Sequence, residues 1–214
     1  MNRVNTIIVI AKAPVPGRCK TRLSPPCTLE EAAELAAASL RDTLEAVAAS
    51  RALRKVVALE GGAGDWLPPG FEVIRQRGLG LDERLAAAFQ DVAEPALLVG
   101  MDTPQLTEAI LNDALAVLED ADAVLGPTFD GGFWAVGLKR PLAAAFVGVP
   151  MSTAETGSAQ RRRLDRLRLE VATLPQMRDV DYVSDAFEVA ADAANGHFAA
   201  TLRAMGLDLE VSRA

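Results

Sequence analysis

Short apolar runs of strand character alternate with longer segments of helical period along almost the whole chain, and this alternation limits the fold more than any other feature. Thr6–Ala11 is β-branched and continuous, as expected of a strand buried on both faces. Thr28 and Glu31 have the spacing of a capping box, and the Ala/Leu-rich stretch behind them predicts a helix to about Ser50. Strands are expected again at Lys55–Glu60, Phe71–Gln76, Ala96–Met101 and Ala123–Gly126. Helices are expected after the glycine-rich "RGLGLDERLAAAF" and over Thr107–Leu118. A turn at Asp130 then leads into an alternating strand ending at Leu138. A helix around Glu155–Arg168, a strand near Leu169–Leu174 and helices near 184–194 and 197–206 complete the pattern. Such alternation predicts an α/β fold with a mostly parallel sheet covered by helices on both faces. The hairpin-like segment 130–138 implies a strand of opposite direction, so the sheet is expected to be mixed. With no internal repeat and no linker rich in Gly, Ser or Pro, a single domain over residues 1–214 is expected.

The chain's 214 residues are 50% hydrophobic, enough for one sizeable core. No apolar run approaches the ~18 residues of a membrane span. The opening "MNRVNTIIVIAKAP" runs into a charged loop without a small-residue cleavage site, so a cytoplasmic protein with no membrane partner is expected. Cys19 and Cys27 are read as free thiols, a disulfide between them being the alternative. A net charge of −7 argues against a nucleic-acid partner, because phosphate-backbone affinity needs a basic surface. The distribution of charge says more. Residues 1–29 hold Arg3, Lys12, Arg18, Lys20 and Arg22 without an acid, which leaves the remainder at −12. That is a basic spot sized for one polyphosphate.

In open α/β sheets ligands collect beyond the carboxyl ends of the strands. The loop "KAPVPGRCKTRL" after the first strand falls there. It is neither a Walker A motif nor a GxGxxG, but Lys12, Arg18, Lys20 and Arg22 can bind phosphate, Gly17 lets backbone approach closely, and Pro14 and Pro16 stiffen the loop. A merely solvated cationic loop is the competing reading. "LLVGMDTPQL" ends a buried strand on Asp102, whose desolvation needs a metal, a helix N-terminus or a cation to offset it. The alternative, a plain helix cap, is weakened by Thr107, which already serves that purpose. In "RDVDYVSD" the alternating Asp179 and Asp181 point to one side of an extended segment, suiting Mg²⁺ or Mn²⁺, although Asp-x-Asp is also common on ordinary surfaces. "TFDGGFW" offers Thr128 and Asp130 as polar contacts and a Gly-Gly turn open to a ligand, or else a simple tight turn. The single histidine, His197, falls in a late amphipathic helix and excludes a His-based triad. Trp66 and Trp134 are expected to pack in the core, and Arg161–Arg163 to line a solvated helix face.

The motifs "AKAPVPGRCKTRL", "LLVGMDTPQL", "GPTFDGGFWAVGL" and "DVDYVSDAF", in this order, resemble a bacterial family of GT-A-fold transferases, labelled glycosyltransferase A-like or rSAM/selenodomain-associated transferase 1. Its more distant relatives include 2-phospho-L-lactate guanylyltransferase and the molybdenum-cofactor nucleotidyltransferases. The resemblance covers roughly residues 5–194. It implies a Rossmann-like GT-A sheet that binds a nucleotide over its carboxyl edge and a small-molecule acceptor beside it. By motif, Lys12, Gly17, Arg18, Lys20 and Arg22 correspond to the phosphate loop. Arg84 corresponds to a nucleotide-binding arginine. Asp102, Asp179 and Asp181 correspond to ligands of Mg²⁺ or Mn²⁺. Asp130, Gly131, Gly132, Ser152 and Thr153 correspond to the acceptor side, with Thr128 next to them. Lys20, Arg18 and Asp102 would carry the catalysis. This chain departs from the pattern at Gly80-Leu81-Asp82, where the Asp and Gly are exchanged, and at Tyr182 and Cys19. Nucleotidyl transfer from an NTP is favoured by the wealth of cations. Glycosyl transfer from a nucleotide-sugar and nucleotide binding without turnover are the other expectations.

Overall fold

The computed structural model describes residues 3–207, so the expected domain of 1–214 includes terminal residues that lie outside the described ones. Seven strands form one sheet: β1 (Thr6–Lys12), β2 (Arg54–Glu60), β3 (Glu72–Arg75), β4 (Ala96–Gly100), β5 (Ala123–Pro127), β6 (Phe133–Leu138) and β7 (Val171–Thr173). Six helices accompany them: α1 (Leu29–Ala49), α2 (Leu81–Val92), α3 (Glu108–Asp120), α4 (Thr156–Arg166), α5 (Val183–Asp192) and α6 (His197–Ala204). The sheet order is β3-β2-β1-β4-β6-β5-β7. Only β6 runs against its neighbours, pairing antiparallel with β4 and β5, while the remaining pairs are parallel. The turn at 128–132 reverses the chain, and that is the hairpin legible in the sequence.

The period-2 alternation of the strands divides the core in two. Ile7 and Val9 of β1 face α1 and α3 through Leu40, Leu44, Leu111 and Leu115. Ile8 faces the other way, onto Leu85 and Phe89 of α2, Phe146 in the segment before α4, and Leu164 of α4. A third apolar cluster joins α1 to α5 and α6 through Leu35, Val189, Phe198 and Leu202. Both faces of the sheet are therefore covered. Trp66 and Trp134 are buried among these contacts as expected, and Trp134 donates its indole N–H to the Pro175 carbonyl at 2.9 Å.

Helix boundaries follow local chemistry. The Thr28 hydroxyl accepts from the Glu31 N–H at 3.1 Å and the Glu31 carboxylate accepts from the Thr28 N–H at 2.7 Å, so the expected capping box starts α1. Thr107 caps α3 by accepting from Ile110 N–H, which frees Asp102 from that duty. Cys19 and Cys27 are both free. Among the described residues no helix is long and apolar enough to cross a membrane.

Candidate active site

The carboxyl ends of β1, β2, β3 and β4 and the turn after β5 open into one cleft of about 930 Å³. Four neighbouring parallel strands each deliver a polar side chain there: Lys12 from β1, Glu60 from β2, Gln76 just beyond β3, Asp102 just beyond β4.

The acidic end of the cleft is assembled by a strand-like segment without a strand's continuous ladder. Phe129 N–H donates to Met177 O at 3.2 Å, Met177 N–H to Pro127 O at 3.1 Å, and Val180 N–H to Asp102 O at 2.9 Å. Gln176 donates to Thr128 O at 3.1 Å and Gln105 donates to the Arg178 carbonyl. Residues 176–180 are thereby sewn to the 127–129 turn on one side and to the 102–105 loop on the other. Their extended course brings Asp179 and Asp181 together, and carboxylate oxygens of Asp130, Asp179 and Asp181 all lie within 4.8 Å of one another. Three hard oxygen donors at that spacing fit a divalent cation of the Mg²⁺ or Mn²⁺ class. Burial first, then the charges of Asp130 and Asp181, pushes the Asp179 carboxyl up to about 6.

Asp102, expected beside Asp179 and Asp181, is not in this group; the carboxylate that meets them is that of Asp130. Asp102 instead forms an ion pair with Lys20 Nζ at 2.8 Å. Lys20, whose side chain is only 8% exposed, also hydrogen-bonds the Val180 carbonyl and lies 3.8 Å from Asp181. One buried ammonium thus stands beside Asp102 and Asp181, supplying locally the cation that offsets the desolvation of Asp102. Lys20 lies in the left-handed region, φ 48°, where the first loop enters a short 3-10 turn at Thr21–Leu23.

The first loop is also less free than its sequence suggests. Arg22 pairs with Asp181 at 2.5 Å. Glu60 collects the rest: Lys12 at 3.5 Å, Arg18 at 4.0 Å and a hydrogen bond from Arg84. Burial alone would raise the Glu60 carboxyl, but Arg84 and Lys12 outweigh it and hold it below the usual range. Arg84 lines the cleft. Lys12 and Arg22 line the cleft too, and Lys20 lines a small pocket continuous with the loop, whereas Gly17 and Arg18 line neither. The exchanged Asp82 turns away, accepting from Gly148 N–H at 2.8 Å.

On the far rim lie Thr128, Gly132, Ser152 and Thr153. Thr128 donates to Asp130, and Gly132 N–H donates to Asp130 at 2.9 Å, so the turn aims its own carboxylate. Gly131 does not line the cleft. A Cβ there would come within 2.0 Å of the Ala154 carbonyl, so this glycine answers to the chain itself and not to a ligand. His197 is half-exposed at the start of α6 and does not line the cleft. Its neighbour Asp42 accepts the His197 and Phe198 N–H groups at 2.8 Å each, which makes that cluster a helix cap.

Glu60 and Gln76 also line the cleft, although no motif in the sequence singles them out. The signal was present: Glu60 ends β2 and Gln76 directly follows β3, close to the strand-end position that singled out Asp102.

A family model described as "Uncharacterized protein conserved in bacteria (DUF2064)" matches residues 33–153. A crystal structure from Desulfovibrio desulfuricans G20, provisionally named a nucleotide-diphospho-sugar transferase, superposes with a TM-score of 0.84 at 30% identity, covering 92% of this chain and 93% of that one. The 2-phospho-L-lactate guanylyltransferase of Methanocaldococcus infernus is 32% identical over 131 residues, 60% of this chain. The match spans 58% of that curated relative's length. Rv0371c from Mycobacterium tuberculosis H37Rv in complex with manganese is similar in fold, with a TM-score of 0.54 at 19% identity over 88% of this chain and 98% of that one. The GT-A-like, nucleotide-diphospho-sugar transferase architecture is therefore the fold of this chain.

Proposed function

The chain belongs to the bacterial DUF2064 family, and from that membership and the cleft's geometry we propose that it is a divalent-metal-dependent transferase acting on a nucleotide. The observation that carries this reading is the meeting of Asp130, Asp179 and Asp181 beside Lys20 and Arg22 at the carboxyl edge of the sheet. The names of the similar proteins support it: one is a guanylyltransferase, another is provisionally a nucleotide-diphospho-sugar transferase.

Nucleotidyl transfer is the leading form of the reaction. An oxygen of a small phosphorylated or hydroxylated acceptor attacks the α-phosphorus of an NTP, the bond to the bridging oxygen breaks, and pyrophosphate leaves. Asp130, Asp179 and Asp181 would hold Mg²⁺ or Mn²⁺, which when bound neutralises charge on the phosphates. Lys20, fixed by Asp102 and the Val180 carbonyl, places a buried positive charge where negative charge develops, at no cost of reorganisation. Arg22, on the exposed side of Asp181, draws the phosphates toward it. Lys12 and Arg84 serve the nucleotide from the opposite side of the cleft. Gly132, Ser152 and Thr153 form the acceptor rim. The protein contributes alignment and electrostatics and needs no covalent intermediate.

The provisional name of the Desulfovibrio structure favours a second reading, glycosyl transfer from a nucleotide-sugar. Purified protein incubated with Mn²⁺ or Mg²⁺, each NTP or nucleotide-sugar and a panel of small acceptors separates the two. Pyrophosphate release supports the first and nucleoside diphosphate release the second. Nucleotide binding that ignores the metal and yields no product would reject both in favour of a non-catalytic binding module.

A further inference from the structure

Gln76 is tied in one orientation. Its Nε2 donates to the Ala11 carbonyl at 2.8 Å and to the Ala58 carbonyl at 2.9 Å. Carbonyl oxygens only accept, so a flipped amide would set three oxygens against one another. With both N–H groups used, the side chain has nothing left to show the cleft but its Oε1, which takes no hydrogen bond among the described residues.

Glu60 stands at the neighbouring position. β2 and β3 are parallel with Leu59 opposite Arg75, so the next residues across are Glu60 and Gln76, and Gln76 N–H donates to Leu59 O at 3.0 Å. The Glu60 carboxylate is steadied by Arg84 and Lys12 and is likewise an acceptor only. This end of the cleft therefore presents two acceptors side by side, with the Arg84 donor next to them. Because the Gln76 amide reaches the Ala11 carbonyl of β1 and Glu60 pairs with Lys12, the acceptors sit over the ends of β1 and β2, inside the cleft of about 930 Å³. A cleft of that volume, lined also by Arg84 and Asp102, has room for a nucleoside beside the acceptor pair.

We infer that Gln76 and Glu60 read the base of the nucleotide by accepting from two adjacent donors, and that the base is guanine. This rests on the nucleotide reading above. On its pairing edge guanine carries N1–H and N2–H₂ next to each other, with O6 beyond for a donor such as Arg84. Adenine and cytosine each place an acceptor beside their single amino group, and uracil has one N–H between two acceptors. Against any of these, one of the two protein oxygens would meet an oxygen or a ring nitrogen and stay unpaired, which is the costly outcome for a half-buried polar group.

Calorimetric titration of the Mn²⁺-loaded protein with GTP, ITP, ATP, CTP, UTP and dGTP tests this. GTP is expected to bind about tenfold or more tightly than ATP, CTP or UTP. ITP, which lacks only the N2 amino group, should fall about tenfold below GTP, and dGTP should match GTP within about twofold. In Gln76→Leu the GTP-to-ATP ratio should collapse toward one. A ratio near one in the wild-type protein overturns the inference while leaving nucleotide use intact. So does a ratio preserved in Gln76→Leu, which would give Gln76 a structural part only. A dGTP affinity reduced to that of ATP would mean that the acceptors read the ribose, and also overturns it. The ITP comparison needs no variant and survives a Gln76→Leu protein that fails to fold. If no nucleoside triphosphate binds, the proposed function fails and the base assignment falls with it.

Discussion

Asp179 is buried beside two other carboxylates, and its ionisation has the properties of a strained acid. Its ordinary value is 3.8 and the folded value is about 6. A carboxyl raised by folding favours the protonated native state. The associated stability is fully present below pH 4 and is lost as pH climbs through 6. Without a divalent ion, Asp179→Asn should therefore be more stable than the wild-type protein at pH 8, by about 1 kcal/mol after allowance for partial exposure, or a few degrees in Tm. The gap should close near pH 4. Thermal melts in a chelator across that range check the sign, and a gap that widens toward acid refutes it. Asp102 and Asp181 make a second residue-level contrast. Because Asp102 holds Lys20 and stands outside the acidic trio, Asp102→Asn should keep Mn²⁺ affinity within about threefold while lowering turnover. Asp181→Asn removes one of three charges around the ion and should weaken Mn²⁺ by about tenfold or more. Titration of both variants with Mn²⁺ reads the difference directly.

At the scale of elements, what the sequence makes legible is whatever is decided locally. The β-branched run of β1, the capping box of α1, the Thr107 cap of α3 and the extended Asp-x-Asp segment all answer to neighbours within a few residues, and all stand in the structure where their spacing placed them. Thr28→Ala removes one half of the capping box and should lower stability by about 1 kcal/mol, or some 2–4 °C, without altering ligand binding. A melt unchanged by that substitution would show that α1 is fixed by packing alone. Contacts across long stretches of chain were not legible. The first loop reads as unopposed positive charge only because Glu60, Asp102 and Asp181 reach it from three other segments. Asp130 looked like an acceptor contact because nothing in "TFDGGFW" tells that residues 176–180 will be sewn alongside. Strand-end position is local, and it would have marked Glu60 and Gln76 had it been applied to every strand.

For the whole molecule the decisive quantity is the charge of the cleft, and it is not positive. Four cations line it, Lys12, Arg22, Arg84 and Arg178, against six carboxylates, and Lys20 in the adjoining pocket does not restore the balance. Every cation of the first loop also has an acidic partner already. A triphosphate approaching this surface adds negative charge to a lining that holds a surplus of it, so the metal must lower the barrier before the loop can help. Nucleotide affinity is accordingly expected to fall by about 100-fold or more when Mn²⁺ or Mg²⁺ is removed with EDTA. For the metal-loaded protein, raising NaCl from about 50 to about 300 mM should change it only a few-fold, because the ion and the buried Lys20 are poorly screened. The opposite pattern has a different cause. Affinity untouched by EDTA but falling steeply with salt would mean that exposed Arg18 and Arg22 bind phosphate by themselves, and that the acidic trio is a solvated patch with no ion to hold. Measuring the two dependences side by side on the same preparation separates a metal-centred cleft from a cationic loop.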